Sequence, residues 1–161
     1  MKLLCDAMLG RLSKRLRILG FDTEYSAYIS DEELIESDRI VITRDRELHR
    51  KRSRLGKYTI LIVSYGIVNE LSEALCKLGV RHIKRNPIRC PVCNGILEPI
   101  AKEEVKDLIP ENVYKRRNVF WRCSKCGKIY RIGKHRLDML EKIEEVRRKL
   151  EGCEVKKYLI E

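Results

Sequence analysis

Three carboxylates stand where chemistry could be done. Asp6 ends the short apolar run Leu3-Leu4-Cys5, and Asp45 closes Ile40-Val41-Ile42-Thr43-Arg44. Asp31 opens a helix start, Ser30 followed by Asp31, Glu32 and Glu33, just ahead of the second run. In an open parallel sheet, ligands bind outside the carboxyl ends of the strands. Acids gathered there repel one another unless a cation shares them. Hard oxygen donors in a loose cluster suit Mg²⁺ or Mn²⁺, ions that also bind phosphates and turn a bound water into a nucleophile. Simpler roles compete: Asp6 as a cap for the turn at Ala7, Asp31 as a favourable charge on a helix dipole, and Asp45 as a partner of Arg44 or Arg46.

A second constellation is sulfur. Cys90-Pro-Val-Cys93 and Cys123-Ser-Lys-Cys126 are two short knuckles with 29 residues between them. Four thiolates complete a tetrahedral zinc shell, and two knuckles supply them at small cost in chain entropy. Two disulfides or a redox pair are the alternatives, but neither accounts for the motif occurring twice. Cys5, Cys76 and Cys153 are expected to be small buried apolar residues. With the shell already filled, His135 is not expected to be a ligand.

The chain has 161 residues and a formal charge of +11, with charged residues at 37%. A surplus of that size points to a polyanionic partner, either nucleic acid or an anionic membrane face. Arg44, Arg46, Arg50, Lys51, Arg52, Arg54 and Lys57 follow the Thr43-Arg44-Asp45 corner, either as a basic loop that would hold phosphates flanking a metal site or as a solvated charged helix. Lys115-Arg116-Arg117 leads into Phe120 and Trp121, aromatics able to stack on unpaired bases of RNA or to form a small local core. No run is apolar for the length of a membrane span and no leader precedes the first strand, so a cytoplasmic protein that keeps its thiols reduced is expected. Glutamine is absent while Lys, Arg and Glu abound, a bias found in heat-adapted chains.

These residues need a scaffold, and the pattern supplies one. Lys2 to Cys5 reads as a strand; Met8, Leu12, Leu16 and Leu19 fall at helical spacing, with Lys14, Arg15 and Arg17 pointing away. Phe21 to Tyr25 is extended, a short helix follows Ser30, and strands return at Arg39–Thr43 and Tyr58–Val63. A helix from Val68 to Leu78 then ends at Gly79. Strands alternating with helices imply an α/β sandwich with a mainly parallel sheet. Asn86-Pro87 marks a boundary, giving a first domain over 1–85 and a zinc-ribbon domain over 86–161, each with its own core. The second ends in an amphipathic helix carrying Leu137, Leu140, Ile143, Val146 and Leu150.

Three blocks carry a resemblance: Asp6-Ala7-Met8-Leu9-Gly10-Arg11-Leu12, Leu16-Arg17-Ile18-Leu19-Gly20-Phe21-Asp22-Thr23, and Thr43-Arg44-Asp45-Arg46-Glu47-Leu48, all ahead of paired Cys-x-x-Cys. The chain resembles the PIN-like RNase family named after the mutator-seven C-terminal domain, in which a nuclease-like part precedes a four-cysteine zinc ribbon. That resemblance implies a PIN-like α/β/α sandwich, a divalent-metal-dependent ribonuclease activity, and Asp6, Asp31 and Asp45 as metal-binding acids, with Asp22 a fourth. It departs from the family pattern in the short helix after Asp31 and in Arg136, where an aromatic is usual. A non-catalytic RNA-binding or ribosome-associated adaptor is the competing reading, and a toxin-like member of an inhibitor-controlled pair is a third.

Overall fold

A computed structural model of the protein describes residues 1–83, 89–131 and 134–153, of which 134–140 by backbone alone. The expected boundary at Asn86-Pro87, Gly133, and the side chains of His135, Arg136, Leu137 and Leu140 lie outside the described residues.

Four short strands, β1 (Lys2–Cys5), β2 (Asp22–Tyr25), β3 (Ile40–Thr43) and β4 (Thr59–Leu61), pair in the order β2-β1-β3-β4, all parallel. A short 3₁₀ turn over Ala7–Leu9 leads into α1 (Gly10–Ile18); the other helices of this part are α2 (Asp31–Glu36), α3 (Arg46–Arg54) and α4 (Ile67–Lys77). Val41 and Leu4 meet Leu34 of α2 and Leu48 of α3 on one face of the sheet. Leu3, Ile42 and Ile60 meet Leu12 and Leu16 of α1 and Leu71 and Leu75 of α4 on the other. Successive strand residues point to opposite faces, so central β-branched strands buried on both sides require helices on both.

Three antiparallel strands form the second part: β5 (Leu97–Ile100), β6 (Phe120–Cys123) and β7 (Ile129–Arg131) in the order β5-β6-β7. Between β5 and β6 lie a 3₁₀ turn at Lys102–Val105 and the helix α5 (Glu111–Arg116). The last helix, α6 (Lys134–Glu151), does not stay with the ribbon. It packs on α4, and its Val146 and Leu150 are buried in the core of the parallel sheet, with Ile143 against it. The division at residue 85 therefore does not follow the cores, because the ribbon is inserted between two helices that share one.

Three further residues depart from the expectation. Cys76 at the end of α4 and Cys153 just after α6 are joined as a disulfide, whereas Cys5 is a free buried thiol. Arg17, expected to face solvent, is only 4% exposed. Its Nε donates to the Thr23 carbonyl at 2.7 Å and its terminal nitrogen to the carbonyls of Pro91 and Val92 at 2.9 and 3.1 Å. The Arg89 N–H donates to the Arg17 carbonyl, the Thr23 N–H to Asn94 Oδ1, and Asn94 Nδ2 to Asp22 Oδ1 at 2.7 Å. The first knuckle is thereby bolted to the end of α1 and the start of β2. Among the described residues no helix is long and apolar enough to cross a membrane.

Candidate functional site

The chain leaves β1 for β2 on one side and returns to β3 on the other, so the strand order reverses between β1 and β3. Ligands of open parallel sheets bind at such a reversal, outside the carboxyl ends. Asp6 and Asp45 both sit there. Asp6 is 5% exposed and accepts three hydrogen bonds, from the Met8 N–H on Oδ1 and from the Thr43 hydroxyl and Arg44 N–H on Oδ2. The Thr43 hydroxyl donates to Asp6 at 2.5 Å and accepts from the Asp45 N–H at 2.9 Å. One threonine thus ties the two acids into a single corner.

Asp45 is also the cap of α3: its Oδ1 accepts from the N–H groups of Glu47 and Leu48. Among the described residues no donor reaches Asp45 Oδ2, and the residue is exposed. Asp31 begins α2 behind the Ser30–Glu33 capping box, on the same edge of the sheet. The Lys51 ammonium, whose pKa is raised chiefly by its hydrogen bond to Glu47, also feels the charges of Asp31 and Asp45. Even so, no three carboxylates among the described residues converge as a shell; the four cysteines do. Mg²⁺ commonly takes one or two protein carboxylates and fills the rest with water and phosphate oxygens, so the Asp6–Asp45 pair fits in type and number.

Asp22 does not join them. It lies at the start of β2, level with Lys2, at the opposite edge of the sheet from Asp6. There it accepts from Arg39 at 3.1 Å and from Asn94, bonds that outweigh the cost of burial and hold its pKa below the usual range. Its role is to lock the knuckle.

The basic run also sorts itself. Arg46–Arg54 is a helix, not a loop, and Arg46, Arg50, Lys51 and Arg54 face solvent. Arg52 is 1% exposed and donates to the carbonyls of Leu34, Ile35, Ser37 and Arg39 and to the Thr59 hydroxyl. It clamps the end of α2 to the sheet and cannot reach a phosphate. Arg44 pairs with Glu70 at 2.8 Å and lies 4.4 Å from the ring centre of Tyr65. Burial, and then the Lys77 ammonium, lower the pKa of His49. In the ribbon, Arg116 and Arg117 are exposed, but Phe120 is 1% exposed and Trp121 packs beside the cysteines, so these aromatics belong to the ribbon core.

The four sulfurs lie within 4.8 Å of one another, with Cys93 to Cys123 at 3.4 Å and Cys90 to Cys126 at 3.7 Å. A tetrahedral ion with metal–sulfur bonds near 2.3 Å needs sulfurs about 3.8 Å apart, so the shell fits a metal such as zinc. Hydrogen-bonding groups face two of the four sulfurs. The N–H groups of Lys125 and Cys126 point at Cys123 Sγ, and the Tyr130 hydroxyl lies 3.0 Å from Cys90 Sγ. Burial opposes ionisation of Cys90, but Tyr130 and the N–H groups of Cys93 and Val92 prevail and bring its pKa to about 6. Gly127 turns the second knuckle at φ 70°, and a Cβ on Gly95 would lie 2.7 Å from Cys123 Sγ.

Residues 1–143 match the Mut7-C RNase domain, which takes in the acid corner, the ribbon and the first half of α6. No curated protein and no solved structure matches the chain.

Proposed function

The chain belongs to the Mut7-C RNase domain family, and from that premise we propose that it is a divalent-metal-dependent ribonuclease of PIN-like architecture with its hydrolytic centre at the Asp6–Asp45 corner. The observation that carries this reading is the Thr43 hydroxyl bridging Asp6 Oδ2 and the Asp45 N–H at the point where the strand order reverses. Mg²⁺ or Mn²⁺ bound there would supply charge neutralisation and an activated water. Asp6, held rigid by three donors, orients; Asp45 offers the open oxygen; Asp31 completes the acidic rim from α2. Arg46 and Arg50 on α3 hold flanking phosphates, and Arg116 and Arg117 extend the basic track on the ribbon. Hydrolysis joins a water oxygen to phosphorus and breaks the bond to the 3′ oxygen, leaving a 3′-hydroxyl and a 5′-phosphate. The four-cysteine shell is a structural zinc site, remote from that step.

The Asp45→Asn variant tests the proposal. Asparagine caps a helix as well as aspartate does, so the fold should survive while the ligand charge is lost. Mn²⁺-stimulated cleavage of RNA should fall to background, with RNA binding equal or tighter and melting within a few degrees of wild type. Cleavage that persists in this variant would refute the assignment. A wild type that binds RNA without metal-stimulated cleavage would favour the adaptor reading, which draws support from the three donors already spent on Asp6.

A further inference from the structure

One aromatic ring stands out beside the acid corner. Tyr65 follows β4, whose last hydrogen bond runs from the Ile62 N–H to the Thr43 carbonyl. It is 77% exposed, yet the loop carrying it is firmly held. Glu73 accepts from the N–H groups of Val63 and Ser64 and from the Ser64 hydroxyl, and Asn69 donates to the Tyr65 carbonyl at 3.0 Å. Behind the ring lies Arg44, 4.4 Å from its centre and itself fixed by Glu70. The same Arg44 donates its backbone N–H to Asp6 and adjoins Asp45. On this held loop one face of the ring is backed by a cation and the rest of the ring is left open to water.

We propose that the open face of Tyr65 is a stacking platform for an unpaired nucleobase adjoining the acid corner, so that the substrate enters as single-stranded RNA. Arg44 is spent on this ring and on Glu70, so it acts by positioning the platform rather than by holding a phosphate. A base on an aromatic face contributes through its π surface regardless of base identity, while a duplex keeps its bases paired and cannot use the site. The proposal rests on the ribonuclease reading for the identity of the ligand, but base stacking is measurable without cleavage.

The test is fluorescence anisotropy with a labelled 2′-O-methyl phosphorothioate single strand of about 12 nucleotides, in zinc-loaded protein without added divalent ion. Tyr65→Ala should weaken binding by roughly 5- to 150-fold, the range for one stacked base, and leave the salt slope unchanged. Tyr65→Phe keeps the ring and should bind within about twofold of wild type; Tyr65→Leu keeps apolar bulk and should resemble the alanine variant. Tyr28, 95% exposed on the loop after β2 and without a cation behind its ring among the described residues, serves as a control, and Tyr28→Ala should bind like wild type. Equal affinity of Tyr65→Ala and wild type, an equal loss in Tyr28→Ala, or wild-type binding as tight to a duplex as to the single strand would overturn the proposal. If Tyr65→Ala loses affinity while the wild type never cleaves RNA, the platform stands and the nuclease reading falls.

Discussion

Replacing Arg17 with methionine keeps most of the buried stem and removes every donor. The three carbonyls it serves fare differently. Thr23 is fully buried, so its carbonyl is left unpaired, at a cost of about 1–3 kcal/mol. Pro91 and Val92 lie nearer solvent and can turn to water, adding about 0.5–1 kcal/mol together. A total near 3 kcal/mol in a chain of this size lowers the melting temperature by about 6–12 °C. The side chain also has an electrostatic partner. Four thiolates around a divalent ion leave two net negative charges, and the guanidinium sits on the carbonyls between ligands Cys90 and Cys93. Stability of the parallel sheet should therefore depend on zinc, and that dependence should shrink in Arg17→Met. The assay is a four-way comparison of thermal melts followed by circular dichroism: wild type and variant, each zinc-loaded and stripped. The two perturbations should be non-additive by about 1 kcal/mol or more. Additivity within about 0.5 kcal/mol, or a variant melting within about 2 °C of wild type, would refute the idea that knuckle and sheet form one cooperative unit.

Other outcomes follow from residues already placed. Neutralising Arg46 and Arg50 together should reduce the slope of log RNA affinity against log salt by about 1.4–1.8, at roughly 0.7–0.9 per phosphate contact; an unchanged slope would make this helix face merely solvated. Arg52→Met should instead lower the melting temperature, since its donors serve four backbone carbonyls. Burial of Glu73 is outweighed by Lys77 and by the Ser64 and Val63 donors, so its folded pKa lies below the ordinary value. Its contribution is present above about pH 4.5 and lost as pH falls through the folded pKa, and Glu73→Gln should flatten the acid limb of a stability–pH curve. Cys153→Ser opens a cross-link spanning 77 residues, for which chain entropy gives up to about 4.5 kcal/mol. Wild type in strong reductant should melt like this variant, and a mutant indistinguishable from oxidised wild type would show the bond to be idle.

The parts legible in the sequence are those governed by local chemistry. Alternating strand and helix patterns give the parallel sheet, Ser30 to Glu33 gives a capping box, and two Cys-x-x-Cys pairs give a closed sulfur cluster. Asp6 and Asp45 meet because each ends a neighbouring strand. What spacing does not carry is the fate of long polar side chains. Arg17 and Arg52 are buried because folded backbone brings carbonyls to them from distant segments, and no run of charges records that. A faint signal existed, since Arg52 lies four residues after Leu48 and Arg17 four after buried Ser13, each on an inward helical stripe. Asp22 enters as a fourth acid through the family resemblance alone, and parallel register puts it at the opposite edge from Asp6. Trp121 and Phe120 read equally as base-stacking aromatics or as a local core, and the second reading holds because a small ribbon has few other residues with which to build an interior.

The placement of α6 fixes an order of events during synthesis. Its Val146 and Leu150 cover the α4 side of the sheet core, roughly 70 residues downstream of Leu75 and Leu78. At about 5–20 residues per second, the nascent chain presents that uncovered apolar face for about 4–14 seconds. All four sulfur ligands leave the ribosome inside this interval, with Cys126 emerging before Ile143. Metal can thus be captured by the growing polypeptide before the sheet core is closed, and Arg17 can bind the formed knuckle while α4 still waits for its last partner.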